Sequence, residues 1–223
     1  KKIVKENIEI SKFQDFKVHG VLFDLGMSLW HLKKSGRGFT FQKDEPLDMR
    51  FDNNNPLTAK EIINSWPRKE LERIFKEYGE ERRAGQIAEK ICGERRKREI
   101  AFTGQLVKII HQAISFKYRD IEILRCRKNF ARIFQALRIA VNDELNNISK
   151  ALPQAAEILE PSGRLVIISF HSLEDRIVKN FFREQAKNGN LKILTKKPIR
   201  PALEEIRQNP KSRGAKLRAA MKT

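Results

Sequence analysis

Gly163–Arg176 reads GRLVIISFHSLEDR. Within it, Leu165-Val166-Ile167-Ile168 is a short, apolar, largely β-branched run, the pattern of a buried strand. The run leads straight into Ser169, His171, Ser172, Glu174 and Asp175. Open α/β sheets bind ligands just beyond the carboxyl ends of their strands, so this polar cluster is a candidate site. Part of it has a plainer reading. Ser172 followed by Asp175 suits a helix N-cap with an acidic first turn, which leaves His171 without a role.

Working outward, Val18–Leu25 (VHGVLFDL) is a second apolar strand that ends at Asp24, with Gly26 closing the turn. From Lys33 to Asn129 the character changes to charged, helical periodicities with a loop at Asn53-Asn54-Asn55-Pro56. Thr58 and Pro67 read as helix starts. Leu71, Ile74, Phe75 and Tyr78 make a one-faced apolar stripe, and Gly79 breaks it before a helix predicted over Glu80–Cys92. Thr103–Ala113 reads as a further helix opened by a threonine cap. Phe134, Leu137, Val141, Leu145, Ile148 and Leu152 keep a spacing of three or four and predict one long helix, kinked or split at Pro153. Pro161-Ser162-Gly163 then turns the chain into the strand at Leu165, and Ile177, Val178, Phe181 and Phe182 face the core from the next helix. Lys211–Lys222 reads as a basic tail. A helical block between two strands is an insertion into a sheet domain. The predicted division is 1–32 and 130–223 for the α/β domain, and 33–129 for the insertion.

The chain has 223 residues, 46 Lys+Arg against 28 Asp+Glu, and a net charge of +18. That excess points to a polyanionic partner, because each neutralised phosphate releases counterions. No run approaches the roughly 18 apolar residues of a membrane span, and no signal-peptide stretch opens the sequence. Cys92 and Cys126 are too few and too far apart for a zinc site. The four histidines show no metal-ligand spacing, so the expectation is a reducing cytoplasm and no metal.

Further segments carry a resemblance. They are Arg37–Asp52 (RGFTFQKDEPLDMRFD), Phe134–Leu145 (FQALRIAVNDEL), Phe23–Gly26 (FDLG), Tyr78–Ile91 (YGEERRAGQIAEKI) and Lys196–Arg218 (KKPIRPALEEIRQNPKSRGAKLR). With Gly163–Arg176, they resemble the bacterial small-subunit ribosomal RNA cytosine-N4 methyltransferases, in order and from about Val18 onward. The resemblance implies a Rossmann-like α/β domain dependent on S-adenosylmethionine, with an inserted all-helical domain. It also implies methyl transfer to the exocyclic amine of one cytosine in the decoding region of 16S rRNA. Partners would be 16S rRNA or the small ribosomal subunit and no membrane, with a homodimer left open. The alternative from another class is a non-catalytic basic rRNA-binding or ribosome-assembly protein. Such folds open with a strand and a Gly-rich turn, yet the first glycine here is Gly20, and the chain begins KKIVKENIEISKF. The expectation is therefore the C-terminal three-quarters of a longer protein, binding the cofactor weakly or not at all on its own.

The site residues follow. Asp24 is assigned to the cofactor by the resemblance; its plainer reading is an Asx turn. His31, in GMSLWHL where the family reads GVSSPQL, takes the place of a cofactor-contacting glutamine, or is a surface histidine. A cytosine amine is a poor nucleophile because its lone pair is delocalised, so a catalyst must accept its N–H bonds and align it. Ser169 and His171 at the strand end, and Asp48 in the PLDMR segment, are the catalytic candidates. Arg50 shares a side with Asp48 in an extended segment and is placed on a phosphate; the pair could equally tie the loop down. Phe39 and Phe41 either stack bases or belong to the core. Arg138 and Asn142 lie four apart on one helix face and are assigned to RNA. So are Arg95, Arg96 and Arg98, in a basic cluster with Arg82, Arg83 and Lys97. Finally, the strands ending at Asp24 and Ile168 should be parallel neighbours, placing Asp24 and His171 on one sheet edge.

Overall fold

In the computed structural model, which describes residues 17–114 and 123–223, strand β1 (Val18–Asp24) lies parallel to β2 (Leu159–Ser169). Pairing runs from Gly20 opposite Arg164 to Asp24 opposite Ile168. Both carboxyl ends thus reach the same edge, as expected. Two further strands, β3 (Leu191–Ile193) and β4 (Lys216–Lys222), complete a sheet of order β1-β2-β4-β3, with β4 antiparallel to both neighbours.

The chain divides into two compact units, one of residues up to Gly26 with Leu145–Thr223, the other Met27–Glu144. The sheet unit also carries α7 (Glu144–Glu157, counted from its first residue), α8 (Ser172–Lys187) and α9 (Leu203–Gln208). From Gly163 onward β2 alternates: Leu165 and Ile167 are fully buried against Val178 and Phe182 of α8. Each such side chain contributes about 1.5–3 kcal/mol on leaving water.

Three expectations need correcting here. Lys211–Lys222 is no tail. Pro210–Gly214 forms a 3-10 turn, and β4 lies inside the sheet, where Ala219 and Ala220 are buried. Its charge is tolerated because Arg218 donates to both carboxylate oxygens of Asp175, at 2.7 and 3.1 Å. The Pro161–Gly163 turn is absorbed into β2 as a bulge: β1 advances two residues between Val18 and Gly20 while β2 advances five. Ser162 takes φ +67° there. Pro153 does not split its helix, which continues to Glu157.

The other unit holds, among its described residues, α1 (Leu29–Lys33), α2 (Ala59–Ser65), α3 (Arg68–Glu77), α4 (Ala84–Arg95), α5 (Thr103–Ile114) and α6 (Ile123–Asn142). Leu71, Ile74 and Phe75 of α3 are fully buried, joined by Ile62, Ile87, Ile91, Ile110 and Phe130. Thr58 opens α2 with a reciprocal cap: its hydroxyl accepts from Glu61 N at 3.2 Å, and Glu61 Oε2 accepts from Thr58 N at 2.7 Å. Removing such a cap costs about 1 kcal/mol.

Here too, boundaries moved for physical reasons. The helix expected from Glu80 begins at Ala84, because Glu80 takes φ +49° and buried Glu81 holds a turn by accepting from Arg83 N. Thr103 is not a side-chain cap. Its hydroxyl accepts from Glu45 N and donates to Lys43 O, while Asp44 Oδ1 accepts from Gly104 N. The start of α5 is thus closed by a segment some 60 positions earlier. The single long helix predicted through Leu152 is two helices, broken at Asp143 with φ +50°. Among the described residues, no helix is long and apolar enough to cross a membrane.

Candidate active site

The sheet edge where β1 and β2 end carries the first group. Leu25 N donates to Ile168 O at 3.0 Å, extending the pairing beyond Asp24. Gly26 then turns with φ +95°, a conformation that disfavours any side chain. Asp24 is exposed, and its carboxylate accepts no hydrogen bond from the described residues, so the Asx-turn reading does not describe it. Phe170 presents a partly exposed ring beside Gly26. Gly214 sits so close to the Phe170 carbonyl that a Cβ there would lie 2.8 Å from its oxygen. The turn before β4 is thereby pressed onto the end of β2.

Ser169 is buried, and its hydroxyl makes only a long contact, 3.4 Å, to Lys216 O. His171, not Ser172, is the N-cap of α8. Glu174 N donates to its Nδ1 at 3.5 Å, and the buried Glu174 Oε2 accepts from Phe170 N at 2.8 Å and His171 N at 3.3 Å. Acceptance at Nδ1 leaves the proton of a neutral imidazole on Nε2, which lies 3.2 Å from Glu174 Oε1 without hydrogen-bond alignment. Glu174, named in the candidate cluster without a role, is thus its anchor. The available signal was its position three residues beyond His171, the spacing of a capping box.

The helical unit carries the second group, around PLDMR. Arg50 donates to Asp48 through Nε (2.9 Å) and Nη2 (2.8 Å), and through Nη1 to the carbonyls of Asn53 and Asn55. Arg50 therefore ties the loop down, and its placement on a phosphate is withdrawn. Between the two lies Met49, fully buried with φ +61°. A non-glycine residue held there costs about 1–3 kcal/mol. Asn142 holds it: Nδ2 donates to Met49 O and Oδ1 accepts from Phe51 N, both at 2.8 Å. Arg37 O accepts from Met49 N at 2.8 Å.

Other RNA assignments also give way to structure. Asn142 is the clamp just described. Arg138 forms a bidentate pair with Glu144 at 2.7 and 3.0 Å, with side chains only 11% and 8% exposed. Arg95 donates to the carbonyls of Ile63 and Trp66, both at 2.8 Å, closing the end of α2. Arg96 and Arg98 remain exposed, whereas Lys97 pairs with Glu94. Phe39 is core, stacked on Phe51 at 5.5 Å, and Phe41 packs on Phe130 and Phe134. His31 lies on α1, its Nδ1 3.0 Å from Ser28 Oγ and its ring edge-on to Phe39 and Phe51. Burial lowers its pKa, helped by the positive charges of Arg37 and Arg138, so it is neutral at pH 7.

Burial alone would raise the Asp48 pKa, but the hydrogen bonds and charge of Arg50, with Arg37, outweigh it and hold the carboxyl below its usual value. A depressed folded pKa means stability that is complete above the unfolded value, about 3.9, and lost as pH falls through the folded one. In acid titrations of stability, Arg50→Gln is therefore expected to flatten the slope below about pH 4. An unchanged slope would show that the pair does not report on folding.

The chain matches the profile of the MraW methylase family over residues 2–223. It is 47% identical over 220 residues to the ribosomal RNA small subunit methyltransferase H of Carboxydothermus hydrogenoformans, a match covering 92% of this chain and 69% of that protein. To the protein so named from Pseudothermotoga lettingae it is 50% identical over 205 residues, covering 91% and 67%. To that of Kosmotoga olearia it is 48% identical over 230 residues, covering 97% and 74%.

Proposed function

We infer the activity from the family: the chain belongs to the MraW methylase family, and we read it as an S-adenosylmethionine-dependent methyltransferase acting on a cytosine N4 of small-subunit rRNA. The observation that carries this reading is the exposed Asp24 carboxylate at the carboxyl edge of a parallel strand pair, beside Gly26 at φ +95°. That edge is where α/β sheets hold their ligands. The donor set fits the cofactor: a carboxylate for a hydroxyl or amine, an open turn, and the exposed Phe170 ring.

When bound, S-adenosylmethionine supplies an electrophilic methyl group on a sulfonium. The chain's own contribution is to bind, align and accept protons. Asp24 takes a hydrogen bond from the cofactor. Asp48 accepts from the target amine: Arg50 N and Nε fill its Oδ1, while Oδ2 receives only Nη2 and keeps an acceptor position. Held ionised by Arg50, Asp48 draws electron density toward the nitrogen that must attack. The strain at Met49 supports this placement, because costly backbone geometry gathers at functional positions. His171, with Glu174, shapes the strand end and is a positioning residue. The high positive charge suits an RNA substrate, and the site of action is the cytoplasm, on 16S rRNA or the small subunit. A non-catalytic RNA-binding role is not favoured.

The test is transfer of labelled methyl from S-adenosylmethionine to small subunits, or 16S rRNA, lacking the modification. Nucleoside digestion is expected to yield label on N4 of one cytosine. Label on another atom, or none on either substrate, would overturn the reading.

A further inference from the structure

In the sheet unit, a cavity of about 290 Å³ opens between α8, β3 with the segment after it, and β4. Phe182, 2% exposed, and Ile193 give it an apolar floor. Lys179, Arg183 and Lys196 line it, and no acid does. Arg218 also lines it, but its guanidinium is committed to Asp175. Burial would raise the Asp175 pKa; Arg218, with lesser help from Lys216 and Lys179, outweighs this and holds the carboxyl ionised. Asp175 is therefore spent on Arg218. Among the described residues, Lys179, Arg183 and Lys196 form no ion pair.

Three like charges converging over an apolar floor repel one another and concentrate a positive potential that recruits anions. Exposed Lys197 and Arg200 follow Lys196 in the segment beyond β3. A cationic line longer than one cavity fits a chain of phosphates better than a single anion. Half-buried Ile193 gives the sugar between them an apolar contact. By contrast, the arginine cluster of α4 has lost Arg95 to backbone carbonyls and Lys97 to Glu94.

We propose that the Lys179–Arg183–Lys196 cavity binds the phosphodiester backbone of the RNA substrate, making the sheet unit an RNA-gripping surface. The proposal rests on the reading of the chain as an rRNA methyltransferase. Such contacts carry no sequence information and set register and affinity. The experiment compares the wild type with K179Q/R183Q/K196Q and with R96Q/R98Q, for binding to a small-subunit rRNA fragment against salt and for methyl-transfer kinetics. The side chains changed are polar and at the surface, and an unchanged melting temperature checks the fold.

The triple variant is expected to lose about 3 units from the slope of log K against log salt, about one per phosphate contact. Its KM for RNA should rise while kcat at saturating RNA stays that of the wild type. An unchanged slope in the triple variant, or a loss confined to R96Q/R98Q, would overturn the proposal while leaving the activity intact. Inorganic phosphate or a mononucleotide bound at these residues with RNA binding unaffected would overturn it too, marking a small-anion site. Failure of the wild type to bind or methylate rRNA would instead remove the underlying reading, and the proposal with it.

Discussion

Asp24→Ala is expected to weaken methyl-donor binding about 10- to 100-fold while the melting temperature stays where it was. The magnitude follows from the interaction lost. A hydrogen bond to a charged group contributes about 1.5–3 kcal/mol, and each 1.4 kcal/mol is about tenfold in affinity. The unchanged stability follows from the surroundings. Asp24 is exposed and accepts nothing from the described residues, and surface substitutions of that kind usually stay within about 0.5 kcal/mol. Leu25 N, which continues the strand pairing, bonds to Ile168 O and not to the Asp24 side chain. Calorimetry with S-adenosylmethionine, or KM for the donor, reads the first quantity, and thermal unfolding the second. RNA affinity should not move. A melting temperature several degrees lower with donor binding intact would make Asp24 a turn anchor and remove it from the site.

The shared edge of Asp24 and His171 was legible because both strands announce themselves locally. Each is an apolar run that stops at polar residues, and topology then fixes which end is which. The Leu71, Ile74 and Phe75 stripe and the Thr58 cap were legible for the same reason, their causes lying within one or two turns. What stayed hidden depends on distant partners. Arg218 looks like part of a basic tail until Asp175, 43 positions earlier, neutralises it. Asn142 looks like a polar helix surface, yet it holds the Met49 carbonyl from 93 positions away. The break at Asp143 is invisible to periodicity, since Val141, Leu145 and Ile148 keep their spacing through it; apolar spacing does not record the sign of φ. His171 was set apart because the cap was sought at Ser172, one residue too late. In the site, residue type and edge could be read, but the occupancy of each donor could not. That is why Arg50 was assigned to a phosphate, and Arg95 and Arg138 to RNA, although their forks are filled from within.

Arg138→Ala turns that last point into a measurement. As an RNA contact, Arg138 would lose affinity on substitution and leave the fold alone. The structure gives the opposite expectation. Its guanidinium donates twice to Glu144, whose side chain is 8% exposed, so the substitution strands a carboxylate away from water. Breaking a buried pair on one side costs about 3–5 kcal/mol, whereas replacing both partners with apolar residues of similar volume is often neutral or better. Arg138→Ala should therefore destabilise the helical unit by about 3–5 kcal/mol in chemical denaturation. Arg138→Met with Glu144→Leu should recover most of that loss. A second readout separates charge from packing: Arg138 is one of the cations that lower the His31 pKa. In the double variant, folded but without that cation, the His31 ring should titrate at higher pH by NMR. Wild-type stability in Arg138→Ala with a shallower salt dependence of RNA binding would return Arg138 to the RNA surface.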